Sequence, residues 1–254
     1  MKVLSIDLDY IMSPSIQLYQ GLIWDENPNC RWEYLYEFSD FKESHLNIDQ
    51  ASLLYCYDTF LKALRNCSNV SFGYEHDSIL YALQDKEDIE IINIDHHDDV
   101  ISDEFKELEN PNVPSQEVEY YTIEHHDRVN EGNWVGWLNV KNKLKSYTWI
   151  HNENSVNLFQ HNDFNVKVLG DKYKWHLRDK YEFEDYNFDH IFVCLSPQYI
   201  PKNHWHYFTM FLMAYEEFTG KKVDCDSFAK KKFEFELRHN QVTHEILHKR
   251  PNGG

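Results

Sequence analysis

The stretch Ile89-Glu90-Ile91-Ile92-Asn93-Ile94-Asp95-His96-His97-Asp98-Asp99 indicates the fold class of this chain. Its first part is mostly apolar, which is typical of a strand buried in a parallel sheet and ending at Asp95. Alternate side chains at a strand end project the same way, so Asp95, His97 and Asp99 would converge. Buried carboxylates are costly unless hydrogen bonds, protons or a metal ion neutralise them. The stretch therefore predicts a divalent-metal site at the carboxyl end of a strand.

Two further segments supply ligands of the same kind. The chain opens with Val3-Leu4-Ser5-Ile6-Asp7-Leu8-Asp9-Tyr10, another apolar run that ends in alternate acids. By itself this pair is not specific, because acidic residues commonly end strands. In Tyr74-Glu75-His76-Asp77-Ser78, His76 alone would be interpreted as a loop or capping residue. Together with residues 95–99 they give four carboxylates and two histidines, enough ligands for two metal ions.

With these motifs the chain resembles the arginase and ureohydrolase superfamily, whose members carry D-A-H-x-D, S-x-D-x-D and G-D-H-S motifs. Residues 95–99 match the first motif with His96 in the alanine place, and residues 5–9 match the second. Residues 75–78 are similar to the third. The S-x-D-x-D segment comes late in arginases but first here, so the resemblance implies a permuted strand order. The closest resemblance is to the peptide arginases of ribosomal peptide biosynthesis, which convert arginine side chains of a precursor peptide to ornithine.

The resemblance implies a binuclear manganese hydrolase. Carboxylate and imidazole ligands without thiolate favour Mn²⁺, with Fe²⁺, Co²⁺ or Zn²⁺ as alternatives. By resemblance, Asp95 and Asp7 would bridge the two ions, His76 and Asp99 would complete one of them, and His97 and Asp9 the other. A metal-bridging hydroxide, oriented by Asp99, would attack the guanidinium carbon of an arginine side chain. Urea would leave, and ornithine would remain in the peptide.

The motifs do not assign a proton donor for the leaving amine. A protonated histidine is expected to act as this donor, and His126 is preferred over His125 and His151. In arginases the glutamate of a V-E-V-N-P segment helps to hold the guanidinium, and Cys194 stands in that place here. Glu131 or Asp127 would replace that glutamate. The alternative for these residues is an ordinary polar surface position.

Substrate contacts are predicted around two other segments. Ser196 follows a predicted strand and falls at the expected site edge. In Gly132-Asn133-Trp134-Val135-Gly136-Trp137, Asn133 would hydrogen-bond the substrate and Trp134 would wall the pocket. The alternative for this segment is a tight turn with core tryptophans.

Strand and helix patterns alternate along the chain. Strands are predicted at 2–10, 69–73, 89–95, 146–151, 164–168 and 189–195, and helices at 48–66, 77–83, 203–219 and 226–248. This alternation predicts an α/β fold with three α/β/α layers and a mainly parallel sheet, which the resemblance makes arginase-like with permuted strands. The length of 254 residues fits a single metallohydrolase domain over residues 1–254. Ligands in such folds bind outside the carboxyl ends of the strands.

Charge and composition limit the partners. The net charge of −18 disfavours nucleic acid and favours a cationic partner, such as an arginine-containing precursor peptide. No apolar run reaches membrane-spanning length, so no membrane partner is expected. The five cysteines include no C-x-x-C, and no signal peptide is recognised, so a cytoplasmic protein with reduced thiols is expected.

Three other functions remain open at this point. A metal-dependent deacetylase or amidase commonly holds one metal with two aspartates and one histidine, and the surplus of ligands argues for two metals. A ureohydrolase acting on free arginine or agmatine would use the same centre. A non-catalytic peptide-binding protein would hold a structural metal, but such sites tend to be closed and rich in cysteine.

Overall fold

The computed structural model describes residues 1–13, 46–100, 131–153, 155 and 169–223. Its strands are β1 (Lys2–Asp7), β2 (Met12–Ser13), β3 (Asn47–Ile48), β4 (Val70–Gly73), β5 (Ile89–Ile94), β6 (Leu144–His151), β7 (Tyr173–Leu177) and β8 (His190–Cys194). Its α-helices are α1 (Gln50–Leu64), α2 (Leu80–Leu83), α3 (Trp134–Val140) and α4 (His206–Thr219). Short 3₁₀ helices lie at Leu8–Ile11, His76–Ile79, Gly170–Lys172, Arg178–Lys180 and Lys202–His204.

Six of the strands form one sheet in the order β4-β8-β1-β5-β6-β7. Every neighbouring pair in this sheet is parallel, while β2 and β3 form a separate antiparallel pair. The expected α/β class with a mainly parallel sheet is therefore confirmed.

Both faces of the sheet are covered. On one face Leu4 and Ile6 of β1 pack in a core that includes Phe60 of α1 and Phe211 of α4. On the other face Val3 belongs to a second core with residues of α2 and α3. Because a strand buried on both faces needs apolar residues at successive positions, β1 and β8 have nearly continuous hydrophobic sequences.

The chain leaves β1 and β5 in opposite directions. After β1 the described chain continues through α1 to β4, on one side of β1 in the sheet. After β5 it continues through α3 to β6, on the other side. The helices α1 and α3 pack in different cores, so they lie on opposite faces. In open parallel sheets such a divergence leaves a crevice at the carboxyl ends of the two strands, where Asp7 and Asp95 lie.

Helix ends follow local sequence signals. The Asp49 side chain accepts a hydrogen bond from Ala51 N at 3.0 Å and begins α1. The helix α4 stops at Gly220, whose φ of 70° is left-handed, as expected. The expected helices over 48–66 and 203–219 are confirmed within a few residues.

Other elements differ from expectation. The strand β7 was not predicted, because its sequence Tyr-Lys-Trp-His-Leu mixes charged and aromatic residues. A turn at 131–133 leads into α3, and Trp134 and Trp137 are both core residues. The strand expected at 164–168 and the helix expected at 226–248 lie outside the described residues.

Among the described residues, no helix combines the length and apolar character needed to span a bilayer. Cys56, Cys67 and Cys194 are buried free thiols. Cys30 and Cys225 lie outside the described ranges.

Candidate metal centre

Six acidic and imidazole side chains meet at the carboxyl ends of three strands. Asp7 is the last residue of β1, Asp95 directly follows β5, and His76 opens the 3₁₀ helix after β4. Asp9, His97 and Asp99 follow in the adjoining turns. Two groups have ligand atoms within 4.8 Å of one another, and they share Asp95. These groups are Asp7, His76 and Asp95, and Asp9, Asp95 and His97. The first subsite is defined as the first group together with Asp99, whose Oδ2 lies 2.8 Å from His76 Nδ1, and the second subsite is the second group.

In the first subsite, His76 Nδ1 faces three carboxylates at once. It lies 2.8 Å from Asp99 Oδ2, 3.0 Å from Asp95 Oδ2 and 3.1 Å from Asp7 Oδ2. No aligned hydrogen bond forms at this nitrogen, and a single N–H would serve only one of the three oxygens. Carboxylate oxygens and an imidazole nitrogen that converge in this way are ligand types that divalent cations bind.

In the second subsite, His97 Nδ1 lies 2.9 Å from Asp9 Oδ2 and 3.6 Å from Asp95 Oδ1. Both oxygens of Asp9 are buried without a hydrogen-bond partner, as is His97 Nε2. An unsatisfied buried carboxylate is costly, and a cation would remove that cost. Asp95 thus directs Oδ2 to one subsite and Oδ1 to the other.

The raised pKa values of several residues indicate that the negative charge of the cluster must be neutralised. Burial, followed by the charges of Asp7 and Asp95, raises the pKa of the Asp9 carboxyl well above its usual value. Burial and the charge of Asp95 likewise raise the pKa of Asp99. Burial opposes protonation of His76, yet the surrounding carboxylates raise its pKa well above 6.5. Without cations, protons must therefore neutralise the cluster.

A layer of buried polar residues lies directly beneath the ligands. Ser5 precedes Asp7 by two positions, and its Oγ lies 2.6 Å from His76 Nε2. Asn93 precedes Asp95 by two positions and donates to Asp95 Oδ2 at 3.2 Å. Since strand side chains alternate, residues two positions apart share a face. These contacts orient the ligands, as outer hydrogen-bond partners commonly do at metal sites.

Ser196 belongs to the same supporting layer. Its Oγ donates a hydrogen bond of 2.5 Å to Asp7 Oδ2, and its side chain is buried. Cys194 lies two positions earlier, and its Sγ donates to Tyr74 O at 3.2 Å and contacts Ser196 Oγ at 3.3 Å. The structure therefore places Ser196 on a metal-ligand candidate, while its expected contact with substrate stays a prediction. Cys194 is fully buried.

Trp134 also contacts a ligand candidate. Its Nε1 donates to Asp99 Oδ2 at 2.7 Å from a completely buried indole. Asn133 is buried at the start of α3, and Glu131 is half-buried two residues earlier. The charges of Glu75 and Glu131, after burial itself, raise the pKa of Asp77. Glu131 therefore lies near the turn that carries His76, and its binding of substrate stays a prediction.

The proposed proton donors are only partly described. His126, with His125 and Asp127, lies outside the described residues. His151 ends β6, and its ring lies 5.1 Å from that of Trp149 and 5.7 Å from that of Trp175. Burial lowers the pKa of His151, which disfavours a protonated ring.

Two residues at the site were not assigned a role from the sequence. Tyr199 lies in the turn after β8, with its ring centroid 4.9 Å from that of His97. His96 is buried between two ligand candidates and contacts neither subsite. Burial lowers its pKa to about 4. The two-residue spacing before each ligand would have identified Ser5 and Asn93, but no sequence signal marks Tyr199.

No family model, curated protein or solved structure significantly matches this chain. The functional argument therefore depends on the chemistry of the site itself and on the motifs that form it.

Proposed function

We propose that the protein is a binuclear metallohydrolase that converts arginine side chains of a ribosomally made precursor peptide to ornithine and releases urea. The observation that carries this proposal is Asp95, whose two carboxylate oxygens face two separate groups of ligand atoms. Hard carboxylate oxygens with imidazole, and no thiolate, favour Mn²⁺, with Fe²⁺, Co²⁺ or Zn²⁺ as alternatives.

The residues fit a pair of divalent cations. The first subsite would hold one ion and the second subsite the other, and two divalent ions would balance the charges of Asp7, Asp9, Asp95 and Asp99. The buried oxygens of Asp9, neither of which accepts a hydrogen bond, support this assignment most directly. When bound, the two cations supply hydroxide at neutral pH and stabilise negative charge that develops during attack.

The protein's own residues would hold this centre in place. Asp99 would orient the attacking group, because Trp134 fixes its carboxylate from the side of α3. Ser5 fixes the ring of His76, and Ser196 fixes Asp7. Of the ligand side chains, His97 is the most exposed, at 17%. Substrate would therefore approach from the side of His97.

The substrate class follows from charge and from the motif resemblance. A net charge of −18 attracts a cationic arginine side chain. Cys194 is buried beneath the site, so a carboxylate elsewhere must hold the guanidinium, and Glu131 is the candidate. His126 remains the preferred proton donor. The parallel neighbours β1 and β5, which carry the S-x-D-x-D and D-H-H-D-D segments, support an arginase-like sheet with permuted strands.

The alternatives make different demands on the site. A deacetylase with one metal would need two aspartates and a histidine, which leaves three of the six ligand candidates without a role. A purely structural metal would not require a ligand with an exposed edge, such as His97.

Mass spectrometry of arginine-containing peptides and of free arginine, incubated with Mn²⁺-loaded protein, tests the proposal. We expect a metal-dependent loss of one cyanamide unit from the peptides. Asp95→Asn should abolish this loss. Asp98→Asn is the matched control and should retain it, because the Asp98 carboxylate contacts Tyr173 instead of a ligand.

Each other outcome has a defined meaning. Loss from free arginine alone would identify an ordinary ureohydrolase. Bound metal with no change in either substrate would reject the arginase assignment and direct the search to acylated amines. Protein that binds no divalent metal would reject the metallohydrolase itself.

A further inference from the structure

In the sequence His96 lies between two ligand candidates, Asp95 and His97, but its side chain contacts other residues. Its ring is 2% exposed. Its Nε2 lies 2.9 Å from Met12 O, and its Nδ1 lies 3.2 Å from Ser155 Oγ. Since a carbonyl only accepts, Nε2 carries the proton, and Nδ1 of the neutral ring accepts from the Ser155 hydroxyl, whose other acceptor, Asn152 Oδ1, lies farther away at 3.4 Å. Both ring nitrogens are therefore engaged, and neither is left to bind a metal.

The backbone of Met12 connects His96 to Asp9. Met12 follows the 3₁₀ helix that carries Asp9, and its backbone N–H donates to Asp9 O. The Met12 carbonyl accepts from His96. A chain of two hydrogen bonds thus links the ring of His96 to the backbone of a ligand in the second subsite, and His97 of that subsite is the next residue.

Asn152 holds the same 3₁₀ helix from β6. Its Nδ2 donates to Tyr10 O at 2.9 Å and to Ser52 Oγ at 3.0 Å. Its backbone N–H donates to Ser155 Oγ at 3.1 Å, the atom that also contacts His96. Two carbonyls that flank the end of this helix are therefore fixed by buried side chains from the ends of β5 and β6.

The first subsite has separate supports. Ser196, Ser5 and Trp134 contact Asp7, His76 and Asp99 respectively. The hydrogen-bond contacts of His96 are with Met12 and Ser155 and not with any of these three residues. The two subsites are joined by Asp95 and by the Asp9 N–H, which donates to Asp7 Oδ1 at 3.1 Å, so a change at His96 should affect the second subsite more strongly than the first.

We propose that His96 is a positioning residue that controls occupancy of the second subsite, by holding Asp9 against His97. This inference rests on the proposed binuclear centre and adds to it that the second subsite has its own support in His96. The motif position that is alanine in arginases thus has a defined task in this chain.

Metal content and Mn²⁺ electron paramagnetic resonance test the inference without an activity assay. We expect wild-type protein to bind two Mn²⁺ ions with a spin-coupled signal. In His96→Asn the amide ends near the Nδ1 position and does not reach the Met12 carbonyl. Affinity for the second ion should fall by about 10- to 100-fold, as for other outer-shell changes, and the signal should become that of an isolated ion.

The conservative variant separates positioning from general structure. In His96→Gln the amide N–H replaces Nε2–H, so two coupled ions should return. His190→Asn is the matched control, since it removes another buried imidazole, one that contacts Ser71, and it should keep both ions. Ser155→Ala frees Nδ1 while retaining the ring. It should weaken binding of the second ion more than that of the first, and it decides the question if His96→Asn does not fold.

Two results would overturn the inference. One is wild-type affinity for both ions in His96→Asn or, if that variant does not fold, in Ser155→Ala. The other is an equal loss of both ions that His96→Gln does not restore. Wild-type protein that binds no Mn²⁺ would instead reject the binuclear centre itself, so the two failures are distinguishable.

Discussion

Trp134 Nε1 donates a hydrogen bond to Asp99 Oδ2 at 2.7 Å, and the same oxygen lies 2.8 Å from His76 Nδ1. Asp99 has a φ of 51°, in the left-handed region, which carries strain for a residue other than glycine. Its backbone carbonyl accepts from Val135 N at 3.1 Å. The loop after β5 is therefore fixed to α3 through both side chain and backbone, and this keeps Asp99 in a strained position at the candidate metal centre.

Replacing Trp134 with phenylalanine should weaken metal binding. Phenylalanine retains most of the aromatic packing but removes the donor to Asp99. We expect metal affinity to fall by about 10- to 100-fold, the range for outer-shell hydrogen bonds, measured by calorimetric titration with Mn²⁺. Trp137→Phe, on the same helix and in the same core, is the control. Equal affinity in wild type and Trp134→Phe would show that this contact does not support the ligand.

A pair of serine variants isolates the contribution of Ser5. Ser5 Oγ lies 2.6 Å from His76 Nε2, and Ser71 Oγ lies 2.8 Å from His190 Nε2. Both are contacts between a serine hydroxyl and an imidazole, but only the pair Ser5 and His76 lies at the candidate metal centre. Ser5→Ala should lower Mn²⁺ affinity by about tenfold or more, while Ser71→Ala should leave it unchanged. Similar losses in both variants, measured by competition with a metal-binding dye, would contradict the assigned role.

Gly73 is required by close packing at the end of β4. A Cβ at this position would collide with Ser78 Oγ and would lie 2.7 Å from Phe192 Cζ. Gly73→Ala should therefore lower the free energy of unfolding by about 1–3 kcal/mol, as overpacking does. Displacement of Ser78 would also disturb the turn that presents His76. Urea denaturation measures the first effect and Mn²⁺ titration the second.

Gly220→Ala provides the contrast. Gly220 has open space around it but a φ of 70°, so alanine should cost about 1 kcal/mol through backbone strain alone. Mn²⁺ affinity should not change. A Gly73→Ala protein as stable as wild type would show that Phe192 and Ser78 can move without penalty.

Stability should fall in mildly acidic solution because of His190. Burial lowers the pKa of His190 from 6.5 to about 4. Between these values the unfolded chain binds a proton that the folded protein excludes. The free energy of unfolding is therefore highest above about pH 6.5 and decreases progressively as the pH falls toward 4. Fully developed, this loss is roughly 3 kcal/mol at 1.36 kcal/mol per pKa unit.

His190→Gln provides the comparison, because glutamine retains a polar group near Ser71 but does not titrate. Urea denaturation of both metal-free proteins at several pH values between 7.5 and 4.5 measures the effect. We expect the stability advantage of wild type over His190→Gln to shrink as the pH falls, and His96 titrates alike in both proteins. A difference that does not depend on pH would contradict the assignment.

Local patterns in the sequence identified much of the buried cluster of aspartates and histidines. Apolar runs ending in Asp7 and Asp95 predicted two buried strands, and the alternation of side chains predicted that Asp95 and His97 would face one region. His76 followed from its resemblance to a motif. By contrast, β7 was missed, because Trp175 and Lys174 lie at a sheet edge where burial imposes no simple pattern.

The sequence by itself determined which residues end the buried strands, since hydrophobic periodicity and acidic strand ends are local properties. Only the tertiary structure decided that β1 lies beside β5 and β8, which brings Asp7 near Asp95 and Ser196. It also decided that Trp134 reaches Asp99 and that His96 reaches Met12. Such contacts join residues 35 and 84 positions apart, and their formation depends on how helices pack on the sheet, which no local pattern encodes.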